Sequence, residues 1–118
     1  MLAKENRVRA ADDFRATVRR GRRFATPNTV VYVASPGTSE SPKFGFIITK
    51  AVGGAVVRNR IRRQLRSVSH EIIATHAESR ALDNSNIVVR VLPCGAQAHW
   101  AQLRAEVSSA VARSVEHS

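Results

Sequence analysis

Residues 53–72 read Gly-Gly-Ala-Val-Val-Arg-Asn-Arg-Ile-Arg-Arg-Gln-Leu-Arg-Ser-Val-Ser-His-Glu-Ile, and this stretch decides the fold. Its regularly placed apolar side chains are separated by four, four, three and four residues, which is the spacing of one face of an α-helix. At 100° per residue, the first four of them occupy an arc about 80° wide. The pattern predicts a helix over about residues 55–76 that buries a narrow seam formed by Val57, Ile61, Leu65, Val68 and Ile72.

The rest of that helix surface carries arginine. Six cations and no acid occur between residues 50 and 66. Arg58, Arg62 and Arg66 fall on one side of the apolar seam, and Arg60 and Arg63 fall on the other. A solvated basic face is the alternative interpretation, but acids four residues away would then be expected, and the first acids come only after the cluster. Because backbone N–H groups near a helix N-terminus also favour phosphate, we predict a helix that binds a polyanion.

Asn59 lies among these arginines, although asparagine has a poor propensity for a helix interior. Its amide is predicted either to hydrogen-bond the bound polyanion or to orient a neighbouring arginine. The alternative is a cap within the first helical turn.

The segments around this helix predict a mixed sheet. Residues 43–49 and 87–92 are apolar runs of strand length on either side of the helix, so they are expected to pair in parallel. Residues 35–42 are rich in Ser, Pro, Gly and Thr and predict an exposed hairpin loop. The chain is therefore expected to form an α+β sandwich with helices packed on one mixed sheet. The remaining predicted elements are a helix over 11–20 ended by a left-handed Gly21, strands over 22–25 and 29–34, and a helix over 97–114.

Length and composition narrow the class of protein. With 118 residues, the chain is expected to form a single domain over 1–118, of which 1–10 are an extended basic arm. The composition is 43% apolar and 24% charged, which excludes a mostly disordered chain, a collagen and a coiled-coil rod. The net charge is +10, and sixteen of the 19 cations are Arg. Because the Arg fork matches phosphate oxygens, nucleic acid is the first expected partner and an anionic membrane the second.

Other features argue against secretion and against catalysis by the chain. Cys94 is the single cysteine, so no internal disulfide forms, and it is expected to be a small buried residue. No apolar run is long enough for a membrane span or a secretory signal, and a cytoplasmic location is predicted. His70 and His76 are six residues apart on opposite helix faces, so they are not expected to bind one metal ion. Asp12-Asp13 is interpreted as the negative charge that favours a helix start and not as a metal-binding pair.

Two aromatic residues point to single-stranded nucleic acid. If Val31 and Val33 face the core, the strand alternation turns Tyr32 to the other side of the sheet. An aromatic on a sheet face with a basic rim is how single strands are held without sequence preference. For Phe14 on the first helix, core packing is the default alternative.

Several parts of the chain together resemble one family. The run from Gly53 to Arg66 resembles the Arg-Asn-Arg signature helix of the bacterial ribonuclease P protein subunit. The start Asn6-Arg7-Val8-Arg9 resembles the Asn-Arg-Leu start of that family, and Asp13-Phe14 resembles the Asp-Phe of its first helix. The resemblance covers nearly the whole chain, and residues typical of the family also occur at Gly21, Tyr32, Gly45 and Lys50.

The resemblance implies both a fold and a function. The fold is a two-layer α+β sandwich of order α-β-β-β-α-β-α, with a mixed sheet and a left-handed βαβ crossover, like the second domain of a small-subunit ribosomal protein. General principles alone favour a right-handed crossover. The function is that of the protein subunit of ribonuclease P, which binds the catalytic RNA and the 5′ leader of precursor tRNA. The RNA and its Mg²⁺ ions then cleave the phosphodiester, and the protein carries no catalytic residue and no metal. No membrane and no obligate protein partner are implied.

The resemblance also implies which side chains meet RNA, and where this chain departs from the family. The family usually has Lys at the position of Ala51, often Asn at that of Gly54, and an aromatic at that of Val18, so a weaker stacking surface is expected on the first helix. Arg90 receives no family role. The implied contacts to the catalytic RNA come from Lys50, Arg58, Asn59, Arg60, Arg62, Arg63 and Arg66, those to the leader from Phe14, Val18, Val30 and Tyr32, and supplementary ones from Arg7 and Arg9.

Three other classes of protein remain as alternatives. A ribosomal or other structural RNA-binding protein also needs a basic helix, but it needs no leader cleft. A membrane-surface helix would turn its apolar seam to lipid, but the packed core requires this seam, and its narrow arc suits a packed helix better. A sequence-reading DNA-binding protein would be expected to contain a helix-turn-helix pair, whereas here a strand precedes the long helix.

Overall fold

The computed structural model describes residues 2–35 and 41–116. Its element order confirms the predicted one, including the short strand at 22–25. The elements are α1 (Ala11–Arg20), β1 (Arg22–Ala25), β2 (Thr29–Ala34), β3 (Lys43–Ile47), α2 (Ala55–Thr75), β4 (Asn86–Val91) and α3 (Trp100–Glu116), with 3₁₀ turns at Lys4–Asn6 and Pro93–Gln97.

The four strands form one mixed sheet in the order β1-β2-β4-β3. β3 and β4 are parallel neighbours joined by α2, as predicted, while β4 also pairs antiparallel with β2. The left-handed sense of this crossover stays a prediction. The expected hairpin over 35–42 is wrong, because β4 lies between β2 and β3; residues 36–40 of that segment lie outside the described residues. β4 takes an interior position because four of its six side chains are apolar and buried, on both faces of the sheet.

The main core lies between one face of the sheet and the helices α2 and α3. Val31 and Val33 of β2 face this core, as the alternation predicted, and Val30 and Tyr32 face the other side. α1 packs on that other side, where it adds a partial third layer to the predicted two-layer sandwich. The seam of α2 contributes Ile61, Leu65, Val68 and Ile72, all buried, with Val57 half-buried at its start.

Element ends differ from the sequence prediction for local reasons. Gly21 is not left-handed, since its φ is −70° and its ψ is 158°. Glycine fits there because a Cβ atom would lie 2.4 Å from the carbonyl oxygen of Thr17. α3 begins at Trp100 instead of residue 97, because Pro93–Gln97 form a 3₁₀ turn and the Nδ1 atom of His99 accepts a hydrogen bond from the N–H of Ala101.

The basic arm is docked on the sheet. Leu2 is buried in the main core, and the N–H of Val8 donates to the carbonyl oxygen of Phe44 at 2.8 Å. Arg7 forms a parallel bridge with Phe44 at the free edge of β3. Between the buried Leu2 and the bridge at Arg7, the chain forms the 3₁₀ turn at Lys4–Asn6. The arm is therefore extended only from residue 7 onward.

Candidate RNA interface

The arginines of α2 lie on its solvent side as the sequence predicted. Arg60 and Arg63 are exposed, and Arg58, Arg62 and Arg66 are half-exposed. Within residues 2–35 and 41–116, no carboxylate pairs with any of these five side chains, and the helix's own acid, Glu71, bonds Arg104 of α3 at 2.8 Å. We call these five residues the arginine surface.

Three arginines of this surface are held by neutral acceptors. The Nε atom of Arg58 donates to the carbonyl oxygen of Gly53 at 3.1 Å, and the Nη2 atom of Arg60 donates to that of Ala96 at 3.1 Å. The Nη1 atom of Arg62 donates to the Oδ1 atom of Asn59 at 3.0 Å. Because a guanidinium has five N–H donors, each retains donors for phosphate while its direction is restricted.

The position of Asn59 in α2 shows whether it acts as a helix cap. α2 begins at Ala55 with Gly54 as its N-cap, and no side chain caps it. Asn59 therefore lies beyond the cap position, and the capping alternative is wrong. Its contact with Arg62 matches the predicted orienting role.

The N-terminal end of α2 adds further positive potential. Its first turn contains no acid, and the helix dipole places partial positive charge there. Lys50 is exposed in the turn that leads from β3 to this end. Ala51 is exposed beside it, so the lysine that the resemblance leads us to expect at this position would add a surface charge and no core contact.

On the opposite face of the sheet, α1 and the strands form an open cavity of about 360 Å³. We call it the α1 groove; it is lined by Phe14, Arg15, Val18, Arg19 and Ile47. Phe14 is half-exposed and packs over Gly45, where a Cβ atom would lie 2.5 Å from the ring. The groove thus combines an apolar surface with two exposed cations on α1.

The structure brings the four predicted leader-cleft residues into one cluster. Val30 and Tyr32 are buried in it at 4% and 7% exposure, and Phe14 and Val18 pack against them. In the described chain, no buried polar side-chain atom lacks a hydrogen-bond partner, and Tyr32 has no recorded partner, so its hydroxyl is at the surface. Tyr32 therefore offers its hydroxyl edge and not an open ring face.

Sequence reasoning missed three members of this region. Ile47 and Leu92 pack against the cluster, and Arg90 is exposed on the same sheet face. The apolar character of Ile47 and Leu92 is visible in the sequence, but their face is not, because it depends on which strands are neighbours.

The remaining predicted residues have different surroundings. The guanidinium of Arg7 donates twice to the carbonyl oxygen of Leu2, at 3.1 and 2.8 Å, and is half-buried. Arg9 is exposed and has no recorded partner in the described chain. The prediction for Cys94 is wrong: this residue is exposed, because it lies on the 3₁₀ turn before α3.

Two features are absent from the described ranges. No helix there is long and apolar enough to cross a membrane. No three His, Cys, Asp or Glu side chains there lie close enough together to hold a metal ion.

Comparison with known proteins identifies the family. The sequence model of the Ribonuclease P family matches residues 2–115. The chain belongs to the ribonuclease P protein family. A ribonuclease P protein component of Clavibacter michiganensis is 44% identical over 116 residues, which is 98% of this chain and 97% of that protein. One of Acidothermus cellulolyticus is 45% identical over 114 residues, covering 96% and 91%.

The fold agrees with that of a solved member of the family. The ribonuclease P protein of Staphylococcus aureus superposes with a TM-score of 0.77 at 21% identity, covering 92% of this chain and 94% of that one. The α+β fold with its mixed sheet is thus the fold of ribonuclease P proteins. Family membership implies a role in tRNA 5′ processing, as the protein component of an enzyme complex that includes RNA.

Proposed function

We propose that this chain binds the catalytic RNA of ribonuclease P through the arginine surface and the 5′ leader of precursor tRNA through the α1 groove. The observation that carries the first part is the absence of any acidic partner for the five arginines of α2 in the described chain. Arginine side chains held by neutral acceptors keep their full charge for phosphate. Lys50 and the uncapped start of α2 extend this surface, and Arg7 and Arg9 of the arm supply supplementary contacts.

The second part rests on the composition of the α1 groove. Phe14, Val18 and Ile47 supply an apolar wall for bases, and the exposed Arg19 supplies a cation for the backbone, whereas Arg15 is ion-paired with Asp12. This combination binds single strands with little sequence preference. A leader varies in sequence from one precursor to the next, so such binding suits it.

Catalysis is assigned to the RNA. In this proposal Mg²⁺ is held by phosphates of the catalytic RNA and the substrate, and the protein positions the leader and neutralises backbone charge. This single domain would act in the cytoplasm, without a membrane or an obligate protein partner.

Reconstitution tests the proposal. The chain is mixed with a ribonuclease P RNA and precursor tRNA at low Mg²⁺, and the appearance of mature 5′ ends is measured. We expect cleavage only when both components are present. Cleavage by the protein without RNA would contradict the assignment of catalysis, and absence of any stimulation of the RNA would contradict the subunit function.

The alternative, a structural RNA-binding protein, differs in its substrate dependence. Such a protein would bind structured RNA through the arginine surface but would not distinguish precursor tRNA from mature tRNA. The ratio of holoenzyme affinities for the two therefore separates these functions.

A further inference from the structure

Two arginines lie over one aromatic ring at the outer edge of the sheet. β1 is the outer strand on this side, and its Phe24 is half-buried against the main core. The guanidinium carbon of Arg22 lies 5.4 Å from the centre of the Phe24 ring, and that of Arg113, on α3, lies equally far from it. The two positive groups are therefore within twice that distance of each other. We call Arg22, Phe24 and Arg113 the edge cluster.

The edge cluster is fixed between β1 and the last turns of α3. The Nη2 atom of Arg22 donates a hydrogen bond to the carbonyl oxygen of Ser114, which ties the strand edge to the helix. Arg113 is exposed and lies in the last turn of α3. A guanidinium that rests on a ring keeps N–H donors at its edge, so the cluster presents donors to solvent in a restricted direction.

The acids of α3 do not neutralise this cluster. The carboxylate of Glu106 is enclosed by hydrogen-bond donors of the turn before β2. Glu116 comes three residues after Arg113, but within residues 2–35 and 41–116 no carboxylate is recorded in an ion pair with Arg113. One cation is enough to cover the ring, and a second one adds repulsion. An anion bound by both guanidinium groups would remove that repulsion.

The covered ring indicates which kind of anion suits this edge. Phe24 packs against the core and carries the two guanidinium groups, so the cluster offers N–H donors instead of an open aromatic surface. Single strands are held by stacking of their bases, whereas a duplex presents its phosphates to the protein. A second copy of this chain would bring its own arginines to the edge and be repelled.

We propose that the edge cluster binds the phosphate backbone of a double-helical segment of ribonuclease P RNA. This inference rests on the proposed function for the identity of the RNA. α3 packs on the same face of the sheet as α2, so an RNA bound to the arginine surface can reach the edge cluster with a second segment. The cluster is separate from the α1 groove, since none of its residues lines that cavity.

The purely structural explanation is that the stem of Arg113 covers Phe24 while its charge is solvated or interacts with the C-terminal end of α3. Arg113→Met separates the two explanations, because it keeps an unbranched apolar stem on the ring and removes the charge. Arg113→Lys keeps the charge. The matched control is Arg104→Met, on an exposed arginine of the same helix that is already bonded to Glu71.

The experiment measures the dissociation constant of the full chain and ribonuclease P RNA, without substrate, at several salt concentrations. For Arg113→Met we expect the salt slope to fall by about 0.9, the value for one duplex phosphate, which corresponds to an affinity loss of about 8-fold at about 0.1 M salt. Arg113→Lys should keep the wild-type slope, and Arg104→Met should change neither slope nor affinity. Hydroxyl-radical cleavage of the RNA backbone then locates the contact. Arg113→Met should lose protection in a base-paired segment, at a place different from the one affected by Arg63→Ala.

Three outcomes would overturn the inference while leaving the proposed function intact. One is an unchanged slope and affinity for Arg113→Met when Arg63→Ala does weaken binding. Another is a loss of protection in an unpaired strand, and the third is a loss at the same nucleotides in both variants. If Arg63→Ala and the other variants of the arginine surface bind the RNA as the wild type does, the proposed function is contradicted instead, and Arg113→Met still decides the inference. If circular dichroism shows that Arg113→Met is unfolded, Arg113→Gln gives the same decision.

Discussion

Tyr32 and Phe14, which the sequence assigns to one leader-binding groove, differ in what they can contribute because their side chains are buried to different extents. The sequence alone favours Tyr32 as the probe of this groove, since an aromatic on the first helix has the greater chance of being core. The structure reverses that order. Tyr32 is only 7% exposed, whereas Phe14 is half-exposed and held over Gly45.

Tyr32→Phe is therefore expected to lower leader affinity with little loss of stability. It removes only the hydroxyl at the surface, so binding of leader-bearing precursor tRNA should weaken about 2- to 10-fold, the range for one neutral hydrogen bond. Tyr32→Ala should instead destabilise the fold by about 3–5 kcal/mol, because it leaves a cavity under α1. Urea unfolding and holoenzyme binding measure both effects. Full stability of Tyr32→Ala would show that the ring is not packed as described.

Asn59→Ala is expected to weaken binding of the catalytic RNA about 2- to 10-fold while shifting the melting temperature very little. The side chain is exposed, and its recorded contact is with Arg62, so its loss frees the guanidinium without opening the core. Alanine also has the higher helix propensity. Thr75→Ala, on an exposed side chain at the far end of α2, is the control. A large drop in melting temperature with intact RNA affinity would contradict the orienting role.

At the scale of elements, the sequence predicts α2 well because a long apolar stripe is a local signal. The central position of β4 cannot be predicted in the same way. It depends on burial of both its faces by separate parts of the chain, which no local pattern shows. The Ser- and Pro-rich segment before β3 instead resembles a hairpin loop that would pair β2 directly with β3. For the same reason the cluster around Tyr32 is predicted only in part: the resemblance groups Phe14, Val18, Val30 and Tyr32, whereas the places of Ile47 and Leu92 follow from strand order.

The C-terminal end of α1 and the N-terminal end of α2 each carry a glycine, and substitution of the two glycines should change the stability of the fold in opposite directions. Gly54 has a φ of −72° and open space where a Cβ atom would lie, so Gly54→Asn adds a cap at no steric cost. We expect a gain of about 0.5–1 kcal/mol in unfolding free energy. Gly21→Ala should destabilise, because its Cβ atom would meet the carbonyl oxygen of Thr17. Equal effects of the two substitutions in urea unfolding would contradict this account.

α3 is joined to the turn before β2 by the buried carboxylate of Glu106. It accepts hydrogen bonds from Thr26 Oγ1 at 2.7 Å, from Asn28 N and Nδ2 at 2.9 and 2.6 Å, and from Thr29 Oγ1 at 3.2 Å. Burial by itself raises the pKa of Glu106, but these hydrogen bonds together outweigh it, and the pKa is lowered.

This lowered pKa predicts a pH-dependent contribution to stability. Ionised Glu106 stabilises the fold fully above its unfolded-state pKa, and that contribution is lost as the pH falls through the lower folded-state pKa. Glu106→Gln should lower the free energy of unfolding by about 1–3 kcal/mol at neutral pH. It removes a charged acceptor and places an amide NH₂ group against hydrogen-bond donors. The difference from wild type should shrink as the pH falls below the folded-state pKa. A difference in urea midpoint that is independent of pH would contradict this.

At the scale of the whole molecule, the sheet separates two basic surfaces. The arginine surface belongs to α2, which packs on one face, and the α1 groove lies on the other face. A net charge of +10 could act as one diffuse field, in which case any lost cation would have a similar effect. Two separate binding surfaces instead predict that the position of the lost cation decides which RNA binds more weakly.

Arg63 of the arginine surface and Arg19 of the α1 groove allow this to be decided with two variants and their double variant. Each is exposed and has no recorded partner in the described chain, and the two lie on opposite sides of the sheet. Arg63→Ala should weaken binding of the catalytic RNA and reduce its salt slope by about 0.9, whether or not a leader is present. Arg19→Met should weaken holoenzyme binding only of leader-bearing substrate. Sites separated by a sheet and sharing no partner act independently. The double variant should therefore show each single fold-change unaltered in its own dissociation constant, within about 0.5 kcal/mol. Larger coupling would mean that both arginines meet one continuous RNA element, because only a shared partner would make the loss of one cation change the effect of losing the other.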